Sequence, residues 1–211
     1  MPAANLDRPA QTKAERGAAT RTRLLDATIE ALIDVGWSGT STTEVVRRAG
    51  VSRGAQVHHY PTKDDLVLAA IEHLLVRRLD EYHEAFDSLP PDDRTPGRAI
   101  DLLWDACMGP TFEAWLELAV AARLDPVLRS RFIDVETRFW EANLDRFRGM
   151  FPEVSDDPVF ARVALRFSFA VLDGLALARL IGVGDEELTP VREAFNALVA
   201  PFFPTTYGGT S

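Results

Sequence analysis

The chain is predicted to be all-α, with about nine helices. A small three-helix unit comes first, and a long fourth helix joins it to a larger helical domain. Three observations predict this. Apolar residues recur at intervals of three and four along nearly the whole of the 211 residues. The breaks in that rhythm fall on glycine and proline, and no segment shows the two-residue alternation of a half-buried strand. No internal repeat or low-complexity tract interrupts the pattern.

The first helix is read over 17–35 through Leu24, Thr28, Ala31, Leu32 and Val35. Gly36 ends it, and Trp37 is expected in a small core beside Leu32 and Val45. The most informative stretch is Ser41 to Leu66. Ser41 with Glu44 three residues on has the form of a capping box, so a helix starts there. Val45, Val46 and Ala49 are its apolar side, and Gly50 closes it, since only glycine takes a left-handed exit without strain. Ser52 is an N-cap type, so a second short helix runs from Arg53 to His59 or Tyr60, where Pro61 stops it. Thr62 with Asp65 caps the long helix over 63–86.

Two short helices joined by a tight glycine turn form a helix-turn-helix, whose second member enters the major groove of DNA. The expected outward positions are Arg53, Ala55, Gln56, His58 and His59. Ser52, Gly54 and Tyr60 are included, Gly54 and Ala55 being small enough for close backbone approach. Gln56 suits adenine, and Arg53 suits guanine or a phosphate. Lys63, in the first turn of the long helix, is expected to hold a phosphate. Arg21, Ser41, Thr42 and Thr43 complete the expected contacts.

These residues resemble the TetR family of one-component transcription regulators. The match runs in register through Arg23-Leu24-Leu25-Asp26-Ala27, Gly36-Trp37, Thr40-Ser41, Ala49-Gly50-Val51-Ser52-Arg53-Gly54, His59-Tyr60, Lys63 and Leu66. One departure stands out: Val57 lies where the family usually carries a tyrosine that touches the DNA backbone. The resemblance implies a DNA-binding domain over 17–62, after a basic arm over 1–16. It also implies a helical effector-binding and dimerisation domain over 63–211. By composition alone, the turn-rich Ser88–Pro96 loop is the first choice for a domain boundary.

The net charge of −9 seems at odds with a DNA partner, yet the charge is unevenly placed. Residues 1–66 hold 9 Lys+Arg and 8 Asp+Glu, against 14 and 24 in the remainder, so the acid belongs to the second part. Arg8, Lys13, Arg16, Arg21 and Arg23 face only Glu15 between positions 8 and 23, a basic arm available for phosphates. A single cysteine, Cys107, rules out an internal disulfide and fits a reducing cytoplasm. No signal peptide and no membrane span are expected, the longest apolar run being broken at Asp173.

Beyond the loop, helices are read over about 97–108, 111–123, 126–151, 157–182 and 186–203. Their faces carry many aromatics. The resemblance implies a small-molecule effector held among these helices, and the aromatics suit an apolar or aromatic one. The expected pocket residues are Trp104, Met108, Phe112, Trp115, Trp140 and Phe169. Phe167, Val171, Gly174, Leu175, Ala178 and Ile181, with Val191, Phe195, Leu198 and Phe202, are read as stripes that pair two subunits in a four-helix bundle.

Enzymatic readings find little support. His58 and His59 are adjacent and cannot share a helix face, and no HExxH, Cys/His cluster, GxSxG, phosphate loop or CxxC occurs. Asp80 with His83 has di-iron spacing once, without a second set of carboxylates. No cofactor and no metal are expected. The reading is a homodimeric, ligand-responsive transcriptional regulator, most simply a repressor released from a double-stranded, pseudopalindromic DNA operator when the effector binds.

Overall fold

A computed structural model describes residues 12–152 and 157–202. The described residues are helical almost throughout, in nine α-helices without a strand. In order they are α1 (Lys13–Gly39), α2 (Thr42–Ala49), α3 (Arg53–His59), α4 (Lys63–Asp87), α5 (Pro96–Cys107), α6 (Pro110–Leu124), α7 (Pro126–Met150), α8 (Pro158–Leu180) and α9 (Asp185–Val199). Short 3-10 turns occupy Pro91–Asp93 and Ala200–Phe202.

The caps explain the boundaries. Thr12 and Glu15 form a complete capping box, each side chain taking the other's backbone N–H at 3.2 and 2.7 Å. This box starts α1 four residues earlier than the apolar rhythm does. The expected 1–16 arm therefore surrenders 12–16, with Lys13 and Arg16, to α1 and its cap, and the rest of it, 1–11, lies outside the described residues. Gly36 interrupts α1 at φ 66°, and Gly50 ends α2 at φ 61° in the left-handed region.

Ser41 caps α2 through its hydroxyl, which accepts the Glu44 N–H at 3.1 Å. The Glu44 carboxylate is bound instead by Arg47 and Arg48, so the expected box is half made. Those two guanidinium groups also hold the Glu44 carboxyl down at about 2. At α4 the Thr62–Asp65 box is made in both directions, at 3.0 and 3.1 Å.

Four helices of the second part, α5 to α8, begin on a proline. Its missing N–H is one that no helix start can satisfy internally, so the same residue that reads as a breaker is the first residue of the next helix. Asp125 and Asp157 each cap two amides behind such a proline.

The chain divides into two compact units between Ala70 and Ile71, inside α4. The expected border at 62/63 thus moves about two turns into α4, and the Ser88–Pro96 loop is a turn within the second unit. In the first unit α1 packs on α2 and α3 over a core that includes Leu24, Ala31, Leu32 and Val45. The second unit packs α5 against α8 and α9, and α6 against α7. Its core includes apolar clusters around Phe86, Ala99 and Phe151, around Trp104, Leu172, Leu175 and Leu188, and around Leu144, Ala161 and Leu165.

Candidate DNA-reading surface and effector cavity

In the first unit Ser52 starts α3 by accepting the Ala55 N–H at 3.1 Å. Arg53, Gly54, Val57 and His58 are exposed; Ala55, His59 and Tyr60 are half-buried. Gln56 is buried, only 1% exposed, and its side-chain amide donates to the Tyr60 carbonyl. That corrects the expectation that Gln56 reads a base. At 3.6 residues per turn, successive side chains turn by about 100°. Positions 53, 54, 57 and 58 then share one arc, and 55, 56 and 59 share the opposite one. The expected set of 53, 55, 56, 58 and 59 takes members of both arcs, and a helix packed along one side presents only the other. Val57, 47% exposed, belongs to the outward arc and is not among the expected contacts.

Around this arc, Arg21, Ser41, Thr43 and Ser52 are exposed and Thr42 is half-buried. Arg47 is also exposed and pairs with Glu44. Burial pushes the His59 pKa down, with the charges of His58 and Arg21 adding to it. Arg21 also opposes the rise that burial causes at Tyr60, which places its charge close to the end of α3.

Lys63 departs from the expected solvent-facing phosphate ligand. Its ammonium donates to the Trp37 carbonyl at 2.6 Å and lies 4.0 Å from the centre of the Trp37 ring. One of its three donors is thereby committed to tying the start of α4 to the end of α1. Trp37 is half-buried beneath it rather than inserted in the core.

The second unit holds a partly open cavity of about 80 Å³. Phe112, Trp115, Trp140 and Phe169 line it, as expected, together with Tyr82 and Phe139. Trp104 does not: it is buried against Leu172, Leu175 and Leu188. Met108 packs on that same cluster and lines a second, more polar recess of about 250 Å³ bordered by Glu113 and Arg179. Both face α8 and α9 rather than the aromatic cavity, because α5 packs against those helices.

The charged groups of the cavity escape sequence reasoning, since nothing in helical spacing separates a cavity-facing carboxylate from a solvated one. Glu136 accepts the indole N–H of Trp115 at 2.7 Å and that of Trp140 at 3.2 Å, one on each carboxylate oxygen. Arg78 donates to the Thr111 hydroxyl at 2.7 Å and pairs with Glu81 at 3.2 Å. Asn143 is buried and donates to the Phe139 carbonyl. Asp173 also lines the cavity; burial first, and the Glu136 charge second, push its carboxyl up to about 6. Burial also raises Cys107 to about 12, so it is a thiol and no ligand or nucleophile. Among the described residues no cluster of three or more His, Cys, Asp or Glu side chains could hold a metal ion.

On α8 the exposed residues Val159, Val163, Phe167, Ala170, Gly174, Leu177 and Ile181 make one stripe at spacings of three and four. On α9 Val191, Ala194 and Leu198 are exposed. Of the expected pairing residues, Leu175 and Phe195 are buried within the subunit, and Val171 and Ala178 pack on the Trp104 cluster. These four are corrected: Leu175 and Phe195 are core, and Val171 and Ala178, partly buried, lie about a quarter-turn from the outward α8 stripe and face their own subunit. The Phe202 side chain lies outside the described residues.

Residues 24–70 match the family model for bacterial regulatory proteins of the tetR family. An HTH-type transcriptional regulator of Mycobacterium tuberculosis is 31% identical over 175 residues, which is 81% of this chain and 87% of the relative. The chain belongs to the TetR family. Its relatives are DNA-binding transcriptional regulators rather than enzymes. A transcriptional regulator from Rhodococcus shares the fold with TM-score 0.69 and 21% identity, over 87% of this chain and 97% of that one. One from Saccharomonospora viridis, solved with choline, shares it with TM-score 0.63 and 19% identity over 86% and 96%. No helix among the described residues of this TetR-family chain is long and apolar enough to cross a membrane.

Proposed function

We propose that the chain is a homodimeric repressor that leaves a pseudopalindromic operator when a small molecule enters the cavity of the second unit. The observation that carries this reading is the pairing, in one chain, of an exposed α3 arc with an aromatic cavity 16 or more residues beyond α3. Arg53 and His58 are the polar readers of that arc. Val57 supplies methyl groups suited to the thymine methyl where the family's tyrosine would reach a phosphate. Arg21, Thr42, Thr43, Arg47 and the free donors of Lys63 serve the backbone. Nothing in this reading requires Gln56.

The exposed stripes of α8 and α9 support pairing of two subunits. A stripe of apolar side chains on two adjacent helices costs free energy while it faces water, and Gly174 has open space around it where a second helix can approach. Two-fold pairing sets the α3 helices of the dimer on successive major grooves, about 34 Å apart or a multiple of that. The choline held by the Saccharomonospora protein supports the view that this architecture takes up small molecules. Since α4 contributes residues to both units, it is the covalent route by which occupation of the cavity shifts the head between two states.

The test is a mobility shift on DNA flanking the gene itself, followed by a screen for compounds that abolish it. A retarded complex released by a compound that also binds the isolated protein supports the reading. A purified dimer that retards no duplex at low ionic strength overturns it.

A further inference from the structure

We infer that the effector is a cation, an organic amine or ammonium group whose charge rests against Asp173 and whose apolar part lies among the aromatic rings. The inference rests on the reading of this cavity as the effector site and adds the chemical class of what fills it.

The reasoning begins with charge. Three charged side chains line the cavity: Arg78, Glu136 and Asp173. Arg78 is already answered, by Glu81 and by the Thr111 hydroxyl. Glu136 is occupied at both oxygens, but by neutral indole N–H groups, so its charge is held in place and not cancelled. Asp173 has no hydrogen-bond or ion-pair partner among the described residues. Two carboxylates with no cation of their own, in a largely apolar cavity, favour a positive ligand and disfavour an anion.

The walls point the same way. Tyr82, Phe112, Trp115, Phe139, Trp140 and Phe169 surround the space, and aromatic faces attract cations, the more so away from water. Trp140 already shows this affinity within the molecule, since the Arg166 guanidinium lies 3.6 Å from its ring centre. Glu136 then has a second effect. By taking both indole N–H groups it fixes the two tryptophans in one arrangement, so the cage is formed before a ligand arrives. Burial first, and repulsion from Glu136 second, lift the Asp173 carboxyl to about 6, and a cation beside it offsets both.

Calorimetric titration of the DNA-free protein at neutral pH with three probes of one size tests the inference: benzylammonium, benzyl alcohol and benzoate. Benzylammonium is expected to bind at least about tenfold more tightly than either of the others. The isosteric Asp173→Asn variant, with its fold checked by circular dichroism, is expected to lose that preference. Equal or tighter binding of benzoate or benzyl alcohol overturns the inference, as does a preference that survives Asp173→Asn or an absence of saturable benzylammonium binding at millimolar concentration. Because no DNA is present, these outcomes are separate from the regulator reading. Release from the operator by an anion would leave that reading intact and sink only the cation.

Discussion

Replacing Gln56 with alanine separates the surface expected from the sequence from the one the structure presents. The wild-type side chain is 1% exposed and donates to the Tyr60 carbonyl just past the end of α3. Truncation removes one buried methylene, worth about 0.8 kcal/mol, and leaves the Tyr60 carbonyl without that donor, which costs about 1–3 kcal/mol. The head should therefore lose about 2–4 kcal/mol. With urea m-values of about 1–3 kcal/mol per molar, its midpoint should fall by about 1 M or more. Urea-dependent hydrogen exchange, read on peptides that cover α2 and α3, measures the loss. Selection of bound sites from a random duplex pool reads base preference in parallel. The expected result is weaker binding to an unchanged preferred sequence. An unchanged midpoint together with an altered preferred base would mean that Gln56 faces DNA, and the arc assigned to α3 would be wrong.

Arg53→Ala, on the exposed arc, should leave stability alone, weaken operator binding by about 1–3 kcal/mol, and relax preference at one position of each half-site in the same selection. Leu198→Glu, on the exposed α9 stripe, should turn a particle of about twice 23.4 kDa in size-exclusion with light scattering into a monomer of that mass, with helicity retained. A dimer that tolerates the substitution would place the interface elsewhere. Asp173 should couple stability to pH. Its folded-state carboxyl, at about 6, lies above its ordinary value of 3.8, so the group costs nothing when protonated and costs stability once ionised. The penalty grows as pH rises from about 4 to about 6 and then levels off. Glu136, Arg78, Tyr82 and Cys107 also line the cavity, and of these only Glu136 contributes to the shift. Thermal unfolding should accordingly find Asp173→Asn more stable than wild type at pH 8 and equal to it at pH 4; the reverse order would remove the assigned cause.

The helices were legible because their punctuation is local. Gly36, Gly50, Ser52, Pro61 and the prolines at 96, 110, 126 and 158 act through their own φ, their own oxygen or their own missing N–H, so each marks a boundary without knowledge of the fold. The Thr12–Glu15 box is equally local, but it lies ahead of the apolar rhythm, which alone does not reach it. Facing is a different matter. Helical spacing groups residues into arcs but does not say which arc meets a neighbour. On α8 the arc of Phe167, Gly174 and Ile181 and the arc of Val171, Leu175 and Ala178 are both apolar. Only the packing of α5 and α9 against the second arc makes it core and leaves the first outside.

The same limit governs the cavity, and there it bears on chemistry. An aromatic residue is apolar whether it fills a core or lines a void, so Trp104 and Trp115 read alike in the sequence, though one packs on leucines and the other hydrogen-bonds Glu136. A carboxylate on a surface helix and one that borders a void also read alike, and the surplus acid of the second half looks like solvated surface. Glu136 and Asp173 take two of those charges inside. An effector inferred from the aromatics alone is therefore apolar, and one inferred from the aromatics together with the two carboxylates is apolar and positively charged. The difference comes from where two acids sit on α7 and α8, which makes the sign of the ligand's charge a property of the tertiary structure.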